Sequence, residues 1–269
     1  MDYIWGTLFA LLVAGAAYRK KSLTGSGFAA AVVMGAVYYG AGNLFWFGTL
    51  LLFFITSTLL SRYKKREKRE LEASYAKSGN RDAAQVFANG GLGMIAVILY
   101  ALFPHPVWMY VFIGIMATVT ADTWATEIGS LSRRRPRSVI TLKPVAPGAS
   151  GGVTWTGNLA SMSGALLIGV GAYLFLHVAG QEMPSSLLSY ALIGLISGFA
   201  GAYLDSLLGA TVQRMYRCRV CGKEVEVHEH CGVRTVKSRG LGWMSNDLVN
   251  LLSSLFGGAL AGILGHFIF

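Results

Sequence analysis

Charged residues are scarce in this chain. Asp, Glu, Lys and Arg make up 13% of its 269 residues, whereas a soluble domain has about 25%. Hydrophobic residues reach 54%, and glycine occupies 34 further positions. This composition argues against an ordinary water-soluble enzyme and favours an all-α, polytopic membrane protein.

Apolar runs near 20 residues long, the length that crosses the hydrocarbon core, recur along the chain. They predict eight spans in one integral membrane domain, residues 1–269, with little left for a separate soluble domain. The first run lacks the basic start and the cleavage site of a signal peptide, so we expect it to be retained. The predicted spans are residues 2–18, 25–41, 43–60, 86–103, 107–131, 152–178, 187–210 and 245–268.

Positive charge is confined to part of the chain. The 23 Lys and Arg outnumber the 13 Asp and Glu, and all of them fall in the intervals 19–21, 62–81, 133–143 and 214–239. With eight spans these intervals share one face, which the positive-inside tendency makes cytoplasmic, with both termini outside. The pattern indicates orientation rather than nucleic-acid binding. Membrane lipids and anionic substrates are the expected partners, and a bacterial or archaeal source would place the protein in the plasma membrane.

Three segments on this face are long enough to carry structure of their own. Residues 61–85 predict a basic loop with a short amphipathic helix whose charges form a solvated face. Residues 132–152 form a glycine-rich loop, and residues 211–243 contain all three cysteines.

Acidic residues inside the spans are the first candidates for function, because an unpaired carboxylate in a membrane costs several kcal/mol. With nearby asparagines they supply oxygen ligands that suit Mg²⁺ on a nucleotide phosphate. The alternative is that they cap helix ends or line a wet vestibule. They lie toward the cytoplasmic ends of their spans: Asp122, Glu127, Asp205 and Asp247, with Asn89, Asn246 and Asn250.

The glycine-rich loop leads into the sixth span. N–H groups exposed at a helix start, together with nearby Lys143, would form an anion site suited to phosphate. The loop lacks the GKS or GKT ending of a Walker A motif, and an ordinary re-entrant turn is the alternative. The candidate phosphate-binding residues are Gly148, Ser150, Gly151, Gly152 and Thr154.

The cysteines follow the seventh span. Cys218 and Cys221 have C-x₂-C spacing, and Cys231 with His228 or His230 would complete a structural Cys₃His zinc site. A reducing cytoplasmic location argues against disulfides. Free thiols near unrelated histidines are the alternative. A zinc hydrolase would need an open coordination position. The sequence has no HExxH motif, and no GxSxG or GxGxxG motif in a strand–helix setting.

Four motifs and the Cys/His loop follow one another in a characteristic order: ADTWATEIGSLS, PGASGGVTWTGNLAS, GAYLDSLLGATVQ, the Cys/His loop and NDLVNLLSS. In this order they resemble the DUF92/TMEM19-like integral membrane proteins from about residue 85 to the end. Plant members of that family are phytyl-phosphate kinases. The resemblance therefore implies phosphoryl transfer from a nucleoside triphosphate, with CTP favoured by related lipid kinases, to an isoprenyl monophosphate. The family loop is commonly PGTSGG, and Ala149 stands here in the threonine position, so Ser150 would have to supply the hydroxyl.

On this hypothesis Asp122, Glu127, Asp205 and Asp247 hold one or two Mg²⁺ ions. Lys143 and the 148–152 turn cradle the donor phosphates, the asparagines orient oxygens, and the prenyl chain lies between glycine-lined helices. A transporter or flippase of a phosphorylated lipid or small anion is the alternative, although the chain lacks the inverted repeat typical of that class. A scaffold or assembly factor would leave the intramembrane acids unexplained.

Overall fold

The protein is described by a computed structural model that covers residues 2–72, 80–181 and 185–268. Nine α-helices lie within these ranges, and a π-helical turn, Tyr38–Gly42, continues the second helix. The helical membrane fold predicted from the sequence is confirmed. The helices are α1 Asp2–Arg19, α2 Gly25–Val37, α3 Leu44–Arg62, α4 Lys65–Glu72, α5 Ala83–Leu102, α6 Val107–Gly129, α7 Trp155–Val178, α8 Leu187–Thr211 and α9 Asn246–Ile268.

The long helices coincide with the predicted spans. Among the described residues, α3 and α5 to α9 are the six helices long and apolar enough to cross a membrane. The shorter helix α1, and α2 together with its π-helical turn, occupy the other two predicted spans. Which face is cytoplasmic stays a prediction.

Side-chain caps set several helix boundaries. Asp82 and Gln85 form a capping box at the start of α5, since the Asp82 side chain accepts from the Gln85 backbone and the Gln85 side chain accepts in return. The Thr154 hydroxyl accepts from Gly157 N at 3.0 Å and caps α7. The helix therefore begins after Thr154 rather than at residue 152, where the sequence places the span.

Helix α6 lies at the centre of the bundle and packs against α3, α5, α7, α8 and α9. All residues from Phe112 to Ala121 are buried. The hydroxyl of Thr118 donates to Gly114 O at 2.8 Å, so this polar group is satisfied within its own helix. The central helix then carries Asp122 and Glu127 just beyond its buried stretch.

Small residues allow the central helices to approach closely. A Cβ atom added to Gly198 of α8 would lie 2.8 Å from the Cβ atoms of Ala117 and Ala165. These alanines belong to α6 and α7, so a glycine is required where the three helices meet.

Short antiparallel strands form in the loops at the basic end. β1 (Arg137–Ser138) pairs with β2 (Gly152–Val153) and closes the glycine-rich loop. The strands of the Cys/His loop are β3 Met215–Arg217, β4 Glu224–Val225, β5 Glu229–His230, β6 Val233–Arg234 and β7 Val236–Arg239. They pair in the order β4-β3-β7, and β5 pairs with β6. Strands this short carry no periodic signal, which is why the all-α prediction omitted them.

The basic segment predicted at 61–85 contains α4, while residues 73–79 lie outside the described residues. Lys68 departs from the expected solvated face. Its side chain is only 3% exposed and forms an ion pair with Glu127 of α6. An alkyl stem buried under a paired ammonium ties this helix to the bundle.

Candidate functional site

A cavity of about 340 Å³ lies at the end of the bundle where the basic loops gather. Its walls come from helices α3 to α9 and from the loops between them. Most of the predicted site residues meet here although they are distant in sequence. Those that line the cavity are Asn89, Asp122, Glu127, Gly148, Ser150, Gly151, Gly152, Thr154, Asp205 and Asn246.

Two of the predicted acids, Asp122 of α6 and Asp205 of α8, line this cavity and interact electrostatically with each other. The Ser253 hydroxyl of α9 donates to Asp205 Oδ2 at 3.0 Å and orients that carboxylate. Asp122 and Asp205 interact electrostatically with Glu226, which also lines the cavity. Like charges gathered in one cavity favour a bound cation.

Glu127 has a different environment. Lys68 forms an ion pair with its Oε2, and the Ser61 hydroxyl donates to its Oε1 at 2.5 Å. Lys68 also donates to Leu60 O at 2.8 Å. Glu127 is thus neutralised by a lysine, and the pair joins α3, α4 and α6.

The glycine-rich loop has a fixed shape at the cavity wall. Gly148 and Gly151 have φ angles of +81° and +78°, which favour glycine. A Cβ atom on Gly151 would collide with Ala210 at the end of α8. The Ser150 hydroxyl donates to Gln213 Oε1 at 3.1 Å. The loop therefore presents small residues to the cavity and is held against α8.

The structure does not bring Lys143, Asp247 and Asn250 to the cavity lining. Lys143 is exposed, and its carbonyl accepts from Ser138 N at 2.9 Å. Asp247 lies in the first turn of α9, where the helix dipole favours a negative charge. The Asn250 carbonyl accepts from the Ser254 hydroxyl at 2.7 Å. Site roles for these residues stay predictions.

Basic residues that the sequence analysis did not select line the cavity instead. They are Lys68, Arg81 and Arg134. Arg81 N donates to Ser22 O, and Thr24 N donates to Arg81 O, both at 3.0 Å, so its backbone is fixed to the turn between α1 and α2. Its position directly before the capping box of α5 is the sequence signal that could have singled it out.

Four potential metal ligands converge in the Cys/His loop: Cys218, Cys221, His230 and Cys231. Their ligand atoms all lie within 4.8 Å of one another. A tetrahedral zinc ion with Zn–S bonds near 2.3 Å holds its ligand atoms about 3.8 Å apart, so the donor set and its spacing fit zinc. Hydrogen bonds from the Cys221 backbone and the His230 ring lower the pKa of the Cys218 thiol to about 6. A lowered pKa favours the thiolate, which is the ligand form, at Cys218. Burial and the neighbouring thiols instead raise the pKa of the Cys231 thiol to about 11.

Of the two histidines considered from the sequence, the structure brings His230 to this cluster. Its Nδ1 lies 3.2 Å from Cys231 Sγ and 3.5 Å from Cys221 Sγ. His228 lies apart, with its Nε2 3.3 Å from the Tyr216 hydroxyl.

The Cys/His loop also forms part of the cavity wall through Glu226, which follows β4. Gln213 Nε2 donates to Glu226 Oε1 at 2.8 Å, while Gln213 Oε1 accepts from Ser150. Gln213 precedes β3, and the turn that connects β3 to β4 contains Cys218 and Cys221. One hairpin thus has the cysteines at its tip and the cavity at its base.

The family model described as "Integral membrane protein DUF92" matches residues 8–258 of the chain. "Protein PGR" of Arabidopsis thaliana is 31% identical over 286 residues, which cover 99% of this chain and 97% of that protein. An uncharacterized membrane protein of Methanocaldococcus jannaschii is 29% identical, covering 90% of this chain and 85% of its own.

"Protein VTE6, chloroplastic" of Arabidopsis thaliana is 23% identical over 265 residues, which cover 96% of this chain and 70% of that protein. No solved structure matches the chain.

Proposed function

The chain belongs to the DUF92 integral membrane protein family, and on that premise we propose that it is a membrane-embedded isoprenyl phosphate kinase. It transfers a phosphoryl group from a nucleoside triphosphate, with CTP favoured, to a phytyl or polyprenyl monophosphate. The observation that carries this proposal is the polar cavity in which Asp122, Asp205 and the 148–152 loop meet Arg81 and Arg134. Phosphoryl transfer asks a protein mainly for such positioning and charge neutralisation.

Asp122 and Asp205 are the residues that would hold Mg²⁺. They supply hard oxygen ligands, and Mg²⁺ takes one or two carboxylates besides water and substrate phosphates. Among the described residues the Cys/His cluster is the set in which three or more His, Cys, Asp or Glu ligand atoms converge. Two carboxylates would leave the other positions of a magnesium ion to water and to the phosphates of the nucleotide with which it enters. Bound there, Mg²⁺ would neutralise charge on the donor phosphates.

The reaction makes few chemical demands on the side chains. An acceptor phosphate oxygen forms a bond to the terminal phosphorus of the donor, the bond from that phosphorus to the bridging oxygen breaks, and a nucleoside diphosphate leaves. The attacking oxygen is already anionic at neutral pH, so no general base has to remove a proton. Arg81 and Arg134 would bind phosphate oxygens, whereas Lys68 is paired with Glu127.

A structural zinc ion at Cys218, Cys221, His230 and Cys231 is the second part of the proposal. Its support is the convergence of the four ligand atoms. Four protein ligands leave no open position, so this ion would fold the Cys/His loop and take no part in the chemistry.

The test is a transfer assay with purified protein, labelled nucleotide and a panel of prenyl monophosphates. We expect Asp122→Asn and Asp205→Asn to lower diphosphate formation by about 100-fold or more, as loss of a charge-stabilising group does in other active sites. Glu67→Gln is the matched control, because Glu67 is an exposed acid of α4 paired with Lys64. Full activity in both cavity variants, or prenyl phosphate flux into liposomes without nucleotide, would overturn the assignment.

A further inference from the structure

A second, apolar cavity lies beside the polar one, among α1, α2, α3 and α5. Its walls are aliphatic, aromatic and small side chains. They include Ala14, Met34, Phe47, Leu50, Phe54 and Val86. Apart from the residues that it shares with the polar cavity, this cavity is apolar and suits a hydrocarbon chain.

The two cavities meet at one row of residues. Arg81, Gln85 and Asn89 line both of them. Gln85 and Asn89 are four apart on α5 and share a helix face, and Arg81 directly precedes Asp82, the N-cap of that helix. The boundary between polar and apolar space is therefore marked by a cation and two amides.

From this juxtaposition we propose that the boundary is the binding site for the acceptor lipid. The monophosphate binds at Arg81 in the polar cavity, and the first part of its prenyl chain occupies the apolar cavity. The proposed function supplies the identity of this ligand, but the binding itself needs no nucleotide and no turnover. A free small anion would use the polar cavity alone, so the apolar continuation favours an amphiphile with an anionic head.

Arg81 is placed to recognise that head. The centre of its guanidinium lies 5.8 Å and 5.6 Å from the ring centres of Phe53 and Phe54. Its Nη1 donates to Thr58 Oγ1 at 3.3 Å. The rings of Phe53 and Phe54 lie beside the guanidinium, and Arg81 also lines the polar cavity. A guanidinium can bind a phosphate through two parallel hydrogen bonds.

The apolar cavity leads away from the basic end of the bundle. Its α3 lining extends from Phe54 back to Phe47, which is about 10 Å along a helix axis. On the opposite side Ala10 and Ala14 of α1 present small side chains to it. The outer face of α1 exposes Leu8, Leu11 and Leu12. A longer prenyl chain would thus pass the small residues of α1 and continue among the lipids.

The experiment uses full-length protein in lipid nanodiscs and farnesyl monophosphate with a diazirine at the far end of its chain. After illumination without nucleotide, mass spectrometry maps the labelled peptides. We expect labels on α1, α2, α3 or α5 around the apolar cavity. Unlabelled farnesyl monophosphate should compete at least tenfold better than farnesol. Labels concentrated on α7 to α9, or equal competition by farnesol, would overturn the inference.

Two pairs of variants sharpen the result. Ala31→Phe fills the apolar cavity, whereas Ala29→Phe places the same ring at an exposed position of the same helix. Arg81→Gln removes the proposed phosphate ligand. Its control, Arg62→Gln, removes an arginine that holds the same α1–α2 turn by donating to Ser22 Oγ at 2.7 Å. Ala31→Phe and Arg81→Gln should each lower labelling about tenfold or more, whereas their controls should not. An equal loss of labelling in a variant and its control, or no loss in either, contradicts the proposal.

The outcome is separable from that of the proposed function. Labelling at the apolar cavity without diphosphate formation would retain the lipid site and remove the kinase assignment. Diphosphate formation with labelling elsewhere would retain the kinase and remove the site.

Discussion

Lys68 and Glu127 form an ion pair that joins three helices beside the polar cavity. Lys68 is nearly inaccessible to solvent, and its loss leaves the partly buried Glu127 carboxylate without its ammonium partner. We expect Lys68→Met to lower the free energy of unfolding by about 3–5 kcal/mol. Thermal unfolding in detergent measures the change.

The exposed pair of Lys64 and Glu67 provides the matched control. Lys64 is 44% exposed, and Lys64→Met should cost about 0–1 kcal/mol. The double variant Lys68→Met with Glu127→Gln should be more stable than the sum of the single changes predicts. Equal effects at positions 64 and 68 would show that the buried pair has no special role.

At the residue scale the sequence identified the acids of the cavity better than its cations. Asp122 and Asp205 stand out because a carboxylate within an apolar span is costly. Lys68 does not, since it is one of many cations in a charged run and nothing local indicates which of them turns inward. Glu226 is missed for a related reason. It lies in a polar loop, where a carboxylate remains solvated and its presence costs no free energy that would draw attention to it.

At the element scale the hairpin of β3 and β4 connects the Cys/His cluster to the polar cavity. Chelation, or Cys221→Ser, should release the zinc ion proposed for this cluster and loosen the hairpin. Glu226 and Gln213 would then lose their positions, so nucleotide affinity should fall by at least about tenfold. Metal content by mass spectrometry, protease cleavage within residues 213–243 and nucleotide binding report the three steps separately.

His228→Ala is the control for this prediction. His228 belongs to the same loop but lies outside the cluster, bonded to Tyr216. This variant should keep its metal. Protein that loses its metal yet binds nucleotide with unchanged affinity would disprove the coupling.

The close approach of α6, α7 and α8 leads to a third expectation. Gly198→Leu would force a side chain between Ala117 and Ala165, and overpacking of this kind costs about 1–3 kcal/mol or more. Gly15→Leu is the matched change, because a Cβ atom on Gly15 has no atom within 4 Å. The folded yield after extraction should fall for the first variant alone; a normal yield for both would mean that the helices can separate at little cost.

Element by element, the long helices were predictable and the short strands were not. A span needs about 20 apolar residues, which any hydropathy scan detects. A strand such as β1 is set by a partner distant in sequence, as the pairing of Arg137 with Val153 illustrates. The choice of His230 over His228 depends on the β5–β6 turn and is likewise tertiary in origin.

For the whole molecule, the distribution of Lys and Arg predicts the orientation in the membrane, and cysteine labelling can measure it. Cys221 and Cys231 are exposed in the Cys/His loop. A membrane-impermeant maleimide should therefore leave the natural protein unlabelled in intact cells and label it after the membrane is opened with chelator present. Ser185→Cys, in the connection before α8, should be labelled in intact cells. The reverse labelling pattern would show that the protein has the opposite orientation in the membrane.

The cavity as a whole lay beyond sequence analysis. Arg81, Ser150 and Glu226 come from three separate loops, and only the packing of the long helices brings them to one space. The family resemblance implied phosphoryl transfer, but it did not indicate which Lys and Arg residues would line the cavity together with Asp122 and Asp205.

The meeting of polar and apolar space at Arg81 also has a practical consequence for handling the protein. A detergent that combines a phosphate-bearing head with an alkyl tail matches both cavities at once. Phosphocholine detergents should therefore occupy this boundary and compete with a lipid substrate, whereas maltosides, which carry no anion, match only the apolar side. A preparation in a phosphocholine detergent that shows no transfer would accordingly report on the detergent and not on the protein.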